Sequence, residues 1–252
     1  MLTFIVILIS LAFGSFANNI ISGFTNDSKY DLVRSKCMCG EKDLKIYELI
    51  PILSYLYQFR KCNYCDKIIP WRYLLIELSI LIVGLIFLTQ LSVAAIIVFF
   101  FNYLLICIAV IDLLKYIIPN ALIILLLIIS LIKVTISRNE LMLNTIISIT
   151  VIALFILINI LSNKLKKKDA IGYGDIKLLG VLSFFFGIQL FFFGLWVAAL
   201  LAVPSFYIVN SVSSKYFKDK RIPFGFFLAL AFLSISIVDK QIVSIIQTII
   251  GV

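Results

Sequence analysis

Two aspartates, Asp112 and Asp175, lie at the edges of apolar runs, and their chemistry is the first guide to this chain. A carboxylate in a membrane segment costs at least about 2.5 kcal/mol to insert, so such a residue is a functional candidate by default. Two aspartates that share one proton and hold a water can hydrolyse a peptide bond. One takes a proton from the water, while the other donates to the carbonyl or to the leaving amine.

The two aspartates are expected to lie at the same depth, because Asp112 ends one apolar run and Asp175 begins another. Taken singly, either residue could be a hydrated surface aspartate paired with a lysine, but the shared depth favours a catalytic pair. A helix C-terminus disfavours ionisation and a helix N-terminus favours it. We therefore predict that the shared proton rests mainly on Asp112 and that Asp175 is the initial base.

Histidine is absent from the chain, which excludes histidine-based serine or cysteine catalysis and histidine-ligated metal sites. The glycines before Asp175, Gly172 and Gly174, let the backbone approach a neighbour closely. A glycine-rich turn into a helix can also bind phosphate. However, the P-loop pattern is absent and Asp175 would repel phosphate, so the segment favours the catalytic interpretation.

Four of the five cysteines form two close pairs, Cys37 with Cys39 and Cys62 with Cys65. This arrangement predicts a structural zinc ion held by four thiolates, because sulfur ligands and tetrahedral geometry suit Zn²⁺. The first pair has one intervening residue where two are usual. Unbonded thiols and disulfides are the alternatives, and disulfides are disfavoured because the charge pattern places the loop in a reducing compartment. Cys107, alone in an apolar run, is expected to be a small buried side chain.

The composition predicts an all-α integral membrane protein. The 252 residues are 63% hydrophobic and 14% charged, whereas a globular domain is about half apolar and a quarter charged. The apolar residues form runs near the roughly 20 residues that cross a bilayer. We predict about eight spans: Leu2–Phe24, Trp71–Thr89, Ser92–Asp112, Pro119–Ile136, Leu141–Leu161, Asp175–Gly187, Leu190–Val212 and Pro223–Val238.

The basic residues predict the orientation of these spans. With the N-terminus outside, 19 of the 22 lysines and arginines fall in cytosolic segments, and the exceptions are Lys133, Arg138 and Lys240. Basic residues favour the cytosolic side, so both aspartates are expected there. The net charge of +9 lies between spans and does not form a groove or recognition helix, which argues against nucleic-acid binding.

Three parts of the chain follow from this topology: a first transmembrane helix at 1–24, a cytosolic loop domain with the cysteines at 25–70, and a transmembrane catalytic core at 71–252. The loop domain is too small to bury a substantial core. A stabilising cross-link is therefore expected, and the cysteines are the candidates to form it.

The motifs, taken together, resemble the type IV prepilin peptidase family, membrane aspartyl proteases with a Gly-x-Gly-Asp signature. Asp112 stands seven residues before Pro119, as the first catalytic aspartate of the family does. The further matches are Gly14-Ser15-Phe16 with Asn18, Tyr47-Glu48-Leu49-Ile50-Pro51 between the cysteine pairs, Arg72-Tyr73 with Glu77, Gly172-Tyr173-Gly174-Asp175-Ile176-Lys177, and Ile222-Pro223-Phe224-Gly225.

The resemblance implies that a prepilin or pseudopilin precursor is cleaved after a glycine that ends a short basic leader, at the cytosolic face of the bacterial inner membrane. The substrate's apolar helix would lie among membrane lipid. It also implies N-methylation of the new N-terminus with S-adenosylmethionine, for which Glu48, Arg72 and Glu77 are candidate contacts. Gly172, Gly174, Lys177 and Pro119 are expected to support the aspartates.

A small transporter or channel is the main alternative from another class, with Asp112 and Asp175 carrying protons or cations. It predicts internal repeats, which the sequence lacks, and gives the cysteine-bearing loop no role. A structural assembly factor of a pilus or secretion machine is a third hypothesis. A methyltransferase without protease activity is a fourth, and the intact aspartate pair argues against it.

Overall fold

The computed structural model describes residues 1–25, 61–62, 64, 68–137, 141–166, 170–212 and 223–250. Cys37, Cys39, Glu48 and Cys65, on which several predictions depend, lie outside these residues. The described part is helical, apart from an isolated bridge between Lys61 and Ile68. The helices are α1 (Leu2–Thr25), α2 (Trp71–Phe87), α3 (Val93–Lys115), α4 (Asn120–Ser137), α5 (Leu141–Lys166), α6 (Tyr173–Val212) and α7 (Phe224–Ile250).

The helices have the length and surface of membrane spans. Within the described ranges, five segments are long and apolar enough to cross a bilayer: Leu2–Thr25, Trp71–Gln90, Val93–Lys115, Leu141–Leu165 and Tyr173–Tyr207. Two shorter helices, Asn120–Ile136 and Phe224–Val238, are also apolar. Large apolar side chains such as Phe4, Ile82 and Leu157 are exposed, as a lipid-facing surface requires. The chain is a multi-pass membrane protein, while the count of eight spans and their orientation stay predictions.

Helix α6 is interrupted at Gly187, whose φ of 73° and ψ of 176° are not helical. The 40 residues of α6 would extend about 60 Å at 1.5 Å per residue, twice the roughly 30 Å of a bilayer core. The interruption falls where the sequence predicts the boundary between the sixth and seventh spans. Lys133 Nζ donates a hydrogen bond of 2.6 Å to the carbonyl oxygen of Phe185, just before the break.

The chain divides into two units, Met1–Phe99 and Phe100–Val252. In the first unit, α1 packs against α2 through small residues. A Cβ added at Gly14 would lie 3.1 Å from Glu77 Cα, and one added at Gly84 would lie 2.8 Å from Ser10 Cβ. Small residues at a membrane helix interface let two backbones approach closely. The predicted division at residue 70 stays a prediction.

In the second unit, aromatic side chains from α3, α6 and α7 form the core. The rings of Phe101 and Phe185 stack with their centroids 3.7 Å apart, and Phe186 contacts both Phe101 and Phe232. Phe101 and Phe232 are fully buried. Beside this core, the Ser236 hydroxyl donates to Asn102 Oδ1 at 2.8 Å, which ties α7 to α3. Packing and this buried hydrogen bond together fix how α7 lies along α3.

The close approach of α1 and α2 yields a stability prediction. Gly84→Ala should lower the stability of the protein by about 1–3 kcal/mol, because the new methyl group overlaps the Ser10 side chain. Thermal unfolding in detergent measures the loss. Adding Ser10→Gly to the same chain should recover most of it, whereas Ile82→Val, on the exposed surface of α2, should change little. A Gly84→Ala protein as stable as wild type would contradict this packing.

Candidate active site

Asp112 lies in the last turn of α3 and is buried, with 5% of its surface exposed. Helix α3 ends just beyond it, because Tyr116 adopts a left-handed conformation with φ of 57°. The backbone N–H of Phe226, in the first turn of α7, donates to Asp112 Oδ2 at 2.9 Å. That N–H has no acceptor within its own helix, so the carboxylate caps the start of α7.

Gly225 makes this contact possible. A Cβ added there would lie 2.9 Å from Asp112 Oδ2 and 2.8 Å from Ile118 Cδ1. Distances below 3.0 Å would force one of these groups to move. The glycine is therefore needed because the start of α7 lies directly against the carboxylate.

Asp175 lies in the first turn of α6 and is half-buried. The two glycines before it let neighbouring groups come close. A Cβ at Gly172 would lie 3.1 Å from Asp175 Oδ2, and a Cβ at Gly174 would lie 3.2 Å from Ile118 Cβ. The carbonyl oxygen of Gly172 accepts a hydrogen bond from Ile176 N–H at 3.1 Å. The first turn of α6 therefore begins at Gly172 and aims Asp175 towards the segment that follows α3.

Asp112 and Asp175 line one cleft of about 320 Å³. They come from helices far apart in the sequence, and the Asp112 carboxyl is close enough to act electrostatically on Asp175. Tyr116 and Tyr173 also line the cleft, and both are exposed. Two carboxyl groups that share an open cleft can hold a water and exchange protons with it.

Lys177 and Pro119, predicted to support the aspartates, occupy different places around the cleft. Lys177 lines it and its Nζ donates to Asn120 Oδ1 at 2.9 Å. Pro119 precedes α4, and its carbonyl oxygen accepts from the N–H groups of Leu122 and Ile123. Pro119 thus begins α4, whose first residue, Asn120, holds the lysine.

Helix ends do not distinguish the two carboxyl groups in the way the sequence suggests. The prediction that the shared proton rests on Asp112 considered the C-terminus of its own helix. The structure brings the N-terminus of α7 to the same carboxyl, so the start of a helix lies beside each aspartate. The location of the proton stays a prediction.

Asn159 was missed by the sequence analysis. It is 2% exposed and makes three hydrogen bonds to the segment before Gly172. Its Oδ1 accepts from the N–H of Ala170 at 3.1 Å and of Ile171 at 2.9 Å, and its Nδ2 donates to the Ile171 carbonyl oxygen at 2.7 Å. The available signal was an amide alone in the apolar stretch Ile156–Leu161, which carries no charge and belongs to none of the motifs.

Glu77, a predicted methyltransferase or substrate contact, lies in the first unit. It is buried on α2 and accepts a hydrogen bond from Asn18 Nδ2 at 3.1 Å. The same amide donates to the Tyr73 carbonyl oxygen at 3.2 Å, and the Tyr73 hydroxyl lies 3.3 Å from Ser22 Oγ. The Arg72 guanidinium lies 5.2 Å from the Tyr73 ring centroid. Asn18 and Glu77, which belong to two of the quoted motifs, are therefore in contact.

The predicted zinc site falls mainly outside the described residues, since of its four cysteines only Cys62 is included. Cys62 is buried. Among the residues that the structure describes, no group of three or more histidine, cysteine, aspartate or glutamate side chains could hold a metal ion. Cys107 is buried in α3, as expected for a small apolar side chain.

Comparisons with known proteins agree with these motifs. Residues 8–91 match the family model of the bacterial peptidase A24 N-terminal domain, and residues 99–207 match that of the type IV leader peptidase family. The chain belongs to the type IV leader peptidase family. The second match includes Asp112 and Asp175, and the first includes Glu77 and the four paired cysteines. The resemblance drawn from the sequence is confirmed.

Curated relatives cover most of the chain. A prepilin leader peptidase/N-methyltransferase of Vibrio cholerae is 27% identical over 222 residues, which are 83% of this chain and 87% of that protein. A protein of the same name from Aeromonas salmonicida is 27% identical over 218 residues, 82% of this chain and 72% of that protein. No solved structure gives a significant match.

The cap that Asp112 places on α7 can be tested without an activity assay. Asp112→Ala should speed amide exchange at Phe226 by about tenfold or more, because a hydrogen bond to a charged group contributes about 1.5–3 kcal/mol. Hydrogen exchange followed by mass spectrometry measures the rate. Asp112→Asn, whose carbonyl oxygen still accepts, should show a smaller effect, and Asp175→Ala should leave Phe226 unchanged. Equal rates in wild type and Asp112→Ala would contradict the contact.

Proposed function

We propose that this chain is a membrane aspartyl endopeptidase that removes the short basic leader of type IV prepilins or pseudopilins, with Asp112 and Asp175 as its catalytic residues. The observation that carries the proposal is the shared cleft of two aspartates from separate helices in a member of the leader peptidase family. The relatives named prepilin leader peptidase/N-methyltransferase support the same substrate class.

The chemistry follows from two carboxyl groups around one water. The ionised carboxylate takes a proton from the water while the water oxygen bonds to the scissile carbonyl carbon. The protonated carboxyl donates its proton to the carbonyl oxygen. The tetrahedral intermediate then collapses. Its C–N bond breaks, the nitrogen receives a proton from the first aspartate, and the second regains its own from the gem-diol. The products are a leader with a new carboxylate and a mature chain with a new amine.

The fold supports access for a membrane-anchored precursor. Asp112 is at the end of one span and Asp175 at the start of another, so a bond near the membrane boundary can reach them. The cleft side chains Tyr116 and Tyr173 are exposed and can contact the extended segment around the scissile glycine. With the orientation predicted from basic residues, the cleft faces the cytosol of a bacterial cell, where the basic leader remains.

The catalytic roles of Asp112 and Asp175 predict that either Asp→Asn change will abolish cleavage. The rate should fall by at least about 100- to 10,000-fold, because each substitution removes one group that accepts or donates a proton. Purified protein in detergent is incubated with a pilin-like precursor, and leader loss is read by intact mass. Asp239→Asn, in the later part of α7, is the matched control and should cleave at the wild-type rate. Cleavage by both active-site variants would contradict the assignment.

A second step, N-methylation of the new amine, is proposed from the names of the relatives. S-adenosylmethionine would supply an electrophilic methyl group on a cationic sulfur. The charge of Glu77 suits such a cationic ligand, because Glu77 is a buried carboxylate. Its side chain accepts a hydrogen bond from the Asn18 amide. We expect Glu77 to attract the cationic part of the methyl donor, with Arg72 and Glu48 as further contacts.

The role of Glu77 predicts a separation of the two activities. Glu77→Gln should keep leader cleavage within about twofold of wild type and reduce methylation by about tenfold or more, because only the charge that attracts the donor is lost. Intact mass of the product gives both readouts, and calorimetric titration with S-adenosylmethionine gives donor binding. Asp175→Asn should show the opposite pattern, with binding kept and cleavage lost. Unchanged donor binding in Glu77→Gln would rule out this role.

A zinc ion held by Cys37, Cys39, Cys62 and Cys65 remains part of the proposal. Four thiolates fill a tetrahedral site and leave no open position for a substrate, so the ion would be structural. The burial of Cys62 is compatible with this role. Proteolysis by the aspartate pair would need no metal.

A further inference from the structure

Helix α5 runs antiparallel to the first half of α6, and polar contacts join α5 to α6 and to the segment before it at two levels. Ser148 Oγ donates to the Gly180 carbonyl oxygen at 2.9 Å, and Asn159 bonds to the Ile171 backbone. Ser148 and Asn159 are eleven residues apart, about three helical turns, so they lie on one face of α5. The face of α5 that meets α6 therefore ends at Asn159, beside the segment that leads to Asp175.

Gly180 allows this pair of helices to pack closely. A Cβ there would lie 2.6 Å from Ile152 Cγ1, so the Ile152 side chain of α5 packs directly on the backbone of α6 at this point. A close packed pair of helices has little freedom to slide. The position of Asn159 is consequently fixed relative to the body of α6, and the residues that it binds are fixed with it.

We propose that Asn159 is a positioning residue for Asp175, acting through the segment from Ala170 to Gly172. This inference rests on the proposed function. The amide satisfies two backbone N–H groups and one carbonyl oxygen in that segment, and Gly172 in turn accepts from Ile176 N–H in the first turn of α6. Asn159 thus holds residues 170 and 171, and the backbone that continues through Gly172 connects them to the turn that carries the aspartate.

Asp175 lies close to Gly172, so the position of its carboxylate depends on residues 170–172. A Cβ on Gly172 would lie only 3.1 Å from Asp175 Oδ2, so the backbone at 172 forms one wall beside the carboxylate. A shift of residues 170–172 moves that wall and the start of α6 together. Misplacing a reacting group by about 1 Å can cost about 100-fold in rate. Asn159 does not itself line the cleft, so its effect on catalysis is indirect.

The three hydrogen bonds that hold this segment are part-buried, since Asn159 is 2% exposed while Ala170 is exposed. Losing them is costly because the buried amide of Asn159 no longer pairs with the backbone and water replaces these bonds only in part. Leucine at this position would match the size of asparagine and remove all three hydrogen bonds. Aspartate would keep the two that its oxygen accepts and lose the one that the amide donates.

Kinetics on a pilin-like precursor test the role. Asn159→Leu should lower kcat by about 10- to 100-fold with KM within about twofold, because the carboxyl pair is misplaced while the surface that binds the precursor is intact. Asn159→Asp should recover part of the lost kcat. Asn144→Leu is the matched control, since Asn144 is buried on the same helix and its Oδ1 has no hydrogen-bond partner among the described residues. It should cleave at close to the wild-type rate.

Amide exchange of Ala170 and Ile171, measured without substrate, separates a local role from general destabilisation. In Asn159→Leu these two amides should exchange about tenfold faster or more, while the amides of α5 keep wild-type rates. The Asn144→Leu protein should retain slow exchange at both. This readout does not need catalysis, so it still decides the hydrogen-bonding role if the wild type cleaves no precursor, a result that would count against the proposed function instead.

Several outcomes would overturn the positioning role. They are a kcat for Asn159→Leu within twofold of wild type, an equal loss in Asn144→Leu, or unchanged exchange at Ala170 and Ile171. If Asn159→Leu does not fold, Asn159→Ala, which also removes all three hydrogen bonds, carries the comparison, and a wild-type kcat in that variant together with wild-type exchange at Ala170 and Ile171 would equally exclude the role. A fall in kcat with KM unchanged, recovered in part by aspartate, supports it.

Discussion

Polar groups within a membrane bundle are costly to leave unpaired, because lipid offers no partners, and two contacts that organise the second unit follow from this constraint. Asn102 bonds to Ser236 and Asp112 bonds to the Phe226 N–H. Both contacts join α3 to α7, and each helix advances by ten residues between them. Two polar contacts with the same spacing define one antiparallel register. Sliding α7 by a single residue would break both.

Glycines, which have no side chain, are as important to the cleft and to α6 as the polar residues are. Gly172, Gly174 and Gly225 each lie where a Cβ would press on an aspartate oxygen or on Ile118. Gly187 breaks α6 at a positive φ, and the ammonium of Lys133 compensates the Phe185 carbonyl oxygen just before that break. The cleft is thus formed partly by backbone that comes close to two carboxyl groups, beside the side chains of Tyr116, Tyr173 and Lys177.

Much of the site could be predicted from the sequence, because charged residues in apolar runs are conspicuous. Asp112 and Asp175 were recognised by type and depth, and the motif around Gly172 and Gly174 identified the family. The helix starts followed closely from apolar length, whereas α5 and α7 extend beyond the predicted ends at Leu161 and Val238. The division of α6 was expected near Gly187. Asn159 was not identified, since an amide in a span has no charge and its partners are backbone groups that no sequence pattern marks.

The sequence by itself determined the class of protein, the apolar character of its helices and the two candidate carboxyl groups, because hydropathy and charge depend on residue type and order alone. Only the tertiary structure decided which groups meet. Residues far apart in the sequence meet where Asp112 caps α7, where Asn18 donates to Glu77 and where Ile171 N–H donates to Asn159. Such contacts depend on helix register and on short distances between backbones. These are set by packing summed over many side chains, which local sequence does not encode.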